Sequence, residues 1–169
     1  MDARELQELQ APVKERYRSD PSAALVTLTA SGELGSEKAS CSVDVGRQLV
    51  EAGLHPASGG DGTMACSGDM LLQALVACAG VTLRSVAINR GMTVTGTVTA
   101  EGVLDFRGTM GVDREAPVGF VSIGLRFDLA TDATPDEVAA LIRTTERYCV
   151  VYQTLRAGTE VSVTTTVAA

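Results

Sequence analysis

Residues 3–17 place Leu6, Leu9, Val13 and Tyr17 at helical spacing with charges between them, which predicts an amphipathic helix. Pro12 lies inside it and predicts a kink or a break. The period then changes. Ala24 to Ser31 alternates apolar residues with Thr and Ser, the pattern of a strand. Gly32 to Ser36 reads as a turn, and Lys38 to Val45 alternates again, so the two runs predict a hairpin. Residues 53–63 hold Gly53, Pro56, Ser58, Gly59, Gly60 and Gly62 and read as loop.

From Met70 the chain is apolar on nearly every helical face as far as Val81. Ser67 is a possible cap, Asp69 sits in the first turn, and Gly91 after Arg90 is a stop signal. A helix from Ser67 to about Asn89 would be ~33 Å long. A helix that is hydrophobic all round is surrounded by protein, so this one should be the central element.

Thr93 to Leu104 and Val118 to Leu129 return to strand alternation, separated by a loop over 108–117. Thr134-Pro135-Asp136-Glu137 is a helix start: a capping Thr, a Pro at the first position and a Glu three residues after the cap. That helix runs to Glu146 or beyond, with Cys149 at or near its end and a short helical pattern over Val150 to Leu155. Thr159 to Val167 has a strong strand signal. The order ββ–α–ββ–α–β reads as α+β.

The length of 169 residues suits a helical arm over 1–20 and one domain over 21–169. A chain of this length buries roughly 70% of its unfolded surface, enough for a core without staples. Aromatics are 4% with no Trp, so that core must be aliphatic. The net charge of −7 excludes the basic footprint that nucleic acid or an anionic membrane requires. The N-terminus has no secretory pattern. The apolar run Met70 to Leu83 is broken by Gln73, Gly80 and Thr82 and is short for a span, so no membrane association and a cytoplasmic location are expected.

In that compartment Cys41, Cys66, Cys78 and Cys149 rest reduced. None forms a CxxC pair, and the single His55 rules out a zinc-finger set. His55, beside Pro56, reads as a loop residue. The loop 59–62 lacks the P-loop pattern and more simply lets the chain turn into the long helix. A free cysteine in an apolar helix is by default a small core hydrophobe. Peroxide chemistry is the other use: a thiolate attacks oxygen, and a second thiol condenses the sulfenic acid to a disulfide. It needs two cysteines that meet in space, and spacing alone leaves both readings open for Cys78 and Cys149.

The segment Ser67-Gly68-Asp69-Met70 through Ala77-Cys78-Ala79-Gly80, entered from Gly59-Gly60-Asp61-Gly62, resembles the signature helix of the OsmC/Ohr superfamily. These are the osmotically inducible protein C and organic hydroperoxide resistance proteins. Glu146-Arg147-Tyr148-Cys149-Val150-Val151 is similar to the family's acidic-x-x-Cys-Pro-Val, and Leu155 to Val161 to its terminal strand entry. The resemblance covers most of residues 24–167.

It implies an intertwined homodimer with antiparallel sheets wrapped around long buried central helices and active sites at the subunit interface. It implies Cys78 as the peroxidatic thiol, Cys149 as the resolving one, and an arginine held by an acidic residue as the activator. Asp69 is the nearest match to that acid, one methylene shorter than the usual Glu, with Gly68 in place of Pro. Arg47 is the first choice for the arginine and Arg18 the second. Val150 stands where the family has Pro and leaves a backbone N–H free.

The implied activity is a thiol-dependent reduction of organic hydroperoxides, with an external dithiol as reductant and no metal or organic cofactor. Leu75, Val76 and Val81 would favour an alkyl or lipid peroxide. The alternative is a non-catalytic dimer of the same fold that binds an apolar or thiol ligand at the interface.

Overall fold

The computed structural model of the chain describes residues 2–20, 25, 32–34, 40–44 and 49–167. The first expected strand and Arg47 lie almost wholly or wholly outside these residues.

Helix α1 spans Ala3–Ser19. Asp2 and Glu5 form a reciprocal capping box at its start, which satisfies two of the N–H groups a helix end leaves open. Pro12 lies inside the helix without ending it, so the expected break is absent. Proline removes one ladder bond at a cost of ~3 kcal/mol, and the capped turns on both sides hold the helix around it. α1 packs on the long helix of its own chain.

Strands β1 (Gly32–Leu34), β2 (Ser40–Asp44) and β3 (Leu49–Gly53) form an antiparallel meander. Gly32–Leu34, expected as turn, is thus strand: it pairs with Cys41–Val43 in register. The third strand carries no clear alternation of its own and takes its place by pairing along the whole of β2. Past β3 the chain makes a short 3₁₀ turn (Pro56–Ser58) and then bridges back to β3 through Gly53 N–H to Ala65 O and Ala65 N–H to Glu51 O. Gly60 is needed in this loop, because a Cβ there would lie 1.7 Å from the Leu54 carbonyl oxygen. That bridge sets where the central helix starts.

Helix α2 spans Ser67–Asn89, as the pattern predicts, and ends at Gly91 with φ +66°. Its N-cap is Cys66 rather than Ser67, with no side-chain cap. By length and composition alone α2 could cross a membrane, contrary to the reading of its apolar run as too short and too broken. It packs instead on β4, α4, α5 and α1, and its buried face is a stripe at every fourth residue: Leu75, Ala79, Leu83 and Ala87.

β4 (Val94–Leu104) and β5 (Phe120–Thr131) pair antiparallel, joined by a loop that contains the short α3 (Phe106–Thr109). α4 (Pro135–Tyr148) begins with the expected Thr134–Glu137 capping box. Leu83, Ala87, Val94 and Leu141 make the core, flanked by Val86, Met92, Phe127, Leu129 and Ile142. Arg90 ties the end of α2 to α4 through Thr144 Oγ1 at 2.7 Å. α5 (Val150–Ala157) follows after one non-helical residue, Cys149. The segment after Gly158, expected as a strand, has no regular structure as far as residue 167. A strand exists only by pairing, and among the described residues nothing pairs with it.

Candidate active site

α4 buries Leu141, Thr145 and Cys149 at successive fourth positions, so this stripe faces α2. Cys149 is 1% exposed and ends α4 with its N–H on Thr145 O at 2.9 Å. Its backbone is extended (φ −74°, ψ 109°), and the same residue caps α5. Two bonds fix this elbow: Gln153 N–H to Cys149 O at 3.0 Å, and Gln153 Nε2 to Glu146 O at 2.7 Å. The second satisfies a carbonyl that the end of α4 would otherwise leave open.

Cys78 lies beside the buried Ala79 on α2, half-buried, and comes near Cys149 at the elbow. Each thiol shifts the acidity of the other, Cys149 lowering Cys78 and Cys78 raising Cys149. Both cysteines carry free thiols. The two that the family resemblance pairs across 71 positions therefore lie close enough to influence each other.

Their acidities diverge. Burial pushes the Cys78 thiol up, but four donors outweigh it: the N–H of Val151, the Cys149 thiol, the N–H of Val150 and the Thr82 hydroxyl. The net position is below an ordinary thiol. Thr82 Oγ1 also reaches the Cys78 carbonyl at 2.8 Å, and its single proton serves one acceptor at a time, so it is the least dependable of the four. Burial also pushes Cys149 up; the N–H groups of Tyr152 and Val151 oppose this, while its bond to Cys78 and the nearby Cys78 charge add to it, and the net position is above an ordinary thiol. The two thiols thus differ in acidity, with Cys78 the more acidic.

The other expected residues stand apart from this pair. Asp69 is exposed, nine residues or ~13.5 Å along α2 from Cys78. It lines a groove against Val98 to Ala100 of β4, and no ion pair joins it to an arginine among the described residues. Arg18 pairs with Glu15 at 3.0 Å on the exposed side of α1. Arg47 lies outside the described residues. His55 Nδ1 accepts the Ala57 N–H at 3.0 Å and its ring stacks on Phe106, so it shapes the 3₁₀ turn.

Thr82 and the first turn of α5 were not singled out from sequence as acting on Cys78. Thr82 is one helical turn from Cys78, a spacing that could have revealed it. The α5 donors follow from a helix beginning immediately after Cys149, since the first N–H groups of any helix lack internal partners.

A cavity of about 630 Å³ adjoins the elbow. Its lining includes Leu75, one turn before Cys78, and Glu146 and Tyr152, one turn either side of Cys149; Phe120, Ile123 and Leu125 of β5 make an apolar wall. The sulfurs themselves are not part of the lining.

A long central helix backed by antiparallel strands, with one helix cysteine meeting another at an elbow, defines a class of α+β proteins with paired thiols. The chain belongs to the OsmC-like protein family, which it matches over residues 60–164. It is similar in structure to an OsmC-like protein from Mycoplasma pneumoniae (TM-score 0.64, 17% identity, 78% of this chain and 88% of that one). It is similar also to an organic hydroperoxide resistance protein OsmC from Legionella pneumophila (0.57, 17%, 78% and 90%). A third is an organic hydroperoxide resistance protein from Elizabethkingia anophelis (0.55, 19%, 78% and 89%). At these identities the likeness establishes the fold. No curated protein matches the chain by sequence.

Proposed function

We propose that the chain is a thiol peroxidase for organic hydroperoxides. The observation that carries the reading is the proximity of Cys78 and Cys149 with acidities driven in opposite directions. The Cys78 thiolate attacks the distal oxygen of the hydroperoxide. The O–O bond breaks, the alkoxide takes a proton and leaves as the alcohol, and Cys78 becomes a sulfenic acid. Cys149 sulfur then attacks Cys78 sulfur, water leaves, and a disulfide forms. An external dithiol reduces it by two exchange steps and ends as a disulfide itself. Such a cycle starts from free thiols, which fits a reducing, cytoplasmic setting. In the cavity beside the elbow, the wall of Phe120, Ile123 and Leu125 suits the alkyl part of the substrate.

A homodimer belongs to the same proposal. On α2 Leu71 is 37% and Val81 70% exposed, and Val161, Val163 and Val167 lie along an exposed C-terminal segment that pairs with no strand among the described residues. A second copy would cover these surfaces and give that segment a strand to join. The competing reading, a non-catalytic dimer with a ligand in the cavity, draws on the separation of Asp69 from the thiols.

Steady-state reduction of an alkyl hydroperoxide with dithiothreitol or a lipoylated donor separates the two. Catalysis predicts turnover by the native chain, none by Cys78→Ser, and a single turnover by Cys149→Ser. Undiminished turnover by Cys78→Ser would sink the mechanism.

A further inference from the structure

We propose that Gln153 is a positioning residue for the resolving step: its side chain, tied across the elbow to α4, holds Cys149 where its sulfur can close on Cys78. The inference rests on the peroxidase reading for its purpose, and it names the group that governs the second half of that cycle.

Cys149 is a break between two helices. Its N–H still belongs to α4 and bonds Thr145 O at 2.9 Å, while its O already belongs to α5 and accepts Gln153 N–H at 3.0 Å. Between these bonds its backbone is extended, with ψ 109°. A rotation about this one residue would swing α5 against α4. Both backbone bonds would survive it, because each moves with its own helix. The bond from Gln153 Nε2 to Glu146 O at 2.7 Å would not, because it crosses the break and joins α5 to the last turn of α4. Had α4 continued, Glu146 O would have accepted an N–H four residues on; the Gln153 amide takes that place.

Packing leaves α5 dependent on this tie. α4 is anchored by Leu141 and Thr145, 0% and 1% exposed. α5 rests on α2 but has no fully buried residue of its own. Gln153 is half-buried, which shields its bond from competing water. Disulfide closure is demanding of position, since the two Cα atoms must come within roughly 4.4–6.8 Å with their Cβ atoms turned toward each other. Cys78 lies within α2, whose backbone ladder runs on both sides of it. Cys149 sits at the hinge, so it is the adjustable partner. What sets the hinge sets how often its sulfur is in line with Cys78.

Two substitutions test this. Gln153→Met keeps the length and bulk of the side chain and removes the donor. Gln153→Glu keeps the shape and donates only while its carboxyl is protonated. The full-length protein receives one equivalent of an alkyl hydroperoxide, and quenched samples are read by mass spectrometry for Cys78 thiol, dimedone-trapped sulfenic acid and disulfide. Loss of the Cys78 thiol should match the native chain in both variants. Closure in Gln153→Met should be slower by about three- to tenfold, the weight of one hydrogen bond. In Gln153→Glu, closure relative to native should recover as the pH falls through the carboxylic-acid range. A residue that only stabilised the fold would give no such pH profile. Should Gln153→Met fail to fold, that profile carries the test alone. Closure at native speed in Gln153→Met, or a Gln153→Glu ratio that stays flat with pH, would overturn the inference.

A second arm needs no hydroperoxide. In a glutathione buffer, oxidised glutathione takes the Cys78 and Cys149 thiols to the disulfide and leaves as two reduced molecules. Gln153→Met should shift that equilibrium toward the thiols. Such a shift in a protein that reduces no hydroperoxide would support the positioning and reject the peroxidase. Native turnover, with neither a shift nor slower closure in the variant, would do the reverse.

Discussion

At the scale of the residue, the chemistry rests on a division between two sulfurs. Cys149 is buried to 1% exposure and Cys78 is half-buried, so in the proposed cycle Cys78 is the sulfur that a hydroperoxide would meet first. Their acidities have the same asymmetry. Cys78 is held below an ordinary thiol because donors around it outweigh its burial, and Cys149 above because burial dominates. The sign of the consequence follows. A lowered thiol is ionised, and so reactive, at lower pH; a raised one stays protonated as the pH climbs. Alkylation followed residue by residue should therefore begin at Cys78 as pH rises, pass through the range of a free thiol, and reach Cys149 last. Coincident curves for the two cysteines would remove the division of labour. Asp69 lies ~13.5 Å away along the helix, on the side that meets β4.

At the scale of the element, the site is an elbow held against a helix. α4 presents Leu141, Thr145 and Cys149 as one buried stripe, and Leu141 is 0% exposed in the core that locks this stripe to α2. Leu141→Ala should cost about 2–5 kcal/mol of stability, read from denaturant unfolding, and should slow disulfide closure by loosening the elbow. A loss under 1 kcal/mol would mean that α4 is held elsewhere. Much of this was legible. The bounds of α2, the Thr134 cap and the position of Cys149 between two helices all followed from local pattern and capping chemistry. What was not legible depends on pairing. β3 and the strand at Gly32–Leu34 owe their conformation to β2, and residues 159–167 read as a strand but find no partner among the described residues. Proximity of Cys78 and Cys149 belongs to the same kind: residue spacing left it open, and the family motifs alone suggested it.

At the scale of the whole molecule, one chain leaves much of its apolar helix uncovered. α2 is long and hydrophobic enough to cross a membrane, yet it buries one full stripe and leaves Leu71 and Val81 exposed. Such a surface, like the exposed segment 161–167, is what the proposed second copy of the chain would cover. Sedimentation equilibrium should give a dimer at micromolar concentration, and removal of residues 159–169 should shift it toward monomer. A native chain that sediments as a monomer at that concentration would leave the exposed helix without a partner of its own kind.

The central claim, that Cys78 and Cys149 act as one peroxide-reactive pair, meets its most direct test in a single oxidation. The fully reduced protein receives one equivalent of an alkyl hydroperoxide, is digested without reductant, and has its linked peptides mapped by mass spectrometry. The account predicts one dominant disulfide, Cys78 to Cys149, formed with the loss of two hydrogens, while Cys41 and Cys66 stay reduced. A Cys78 that stays a thiol, or a disulfide dominated by any other pair, would contradict it.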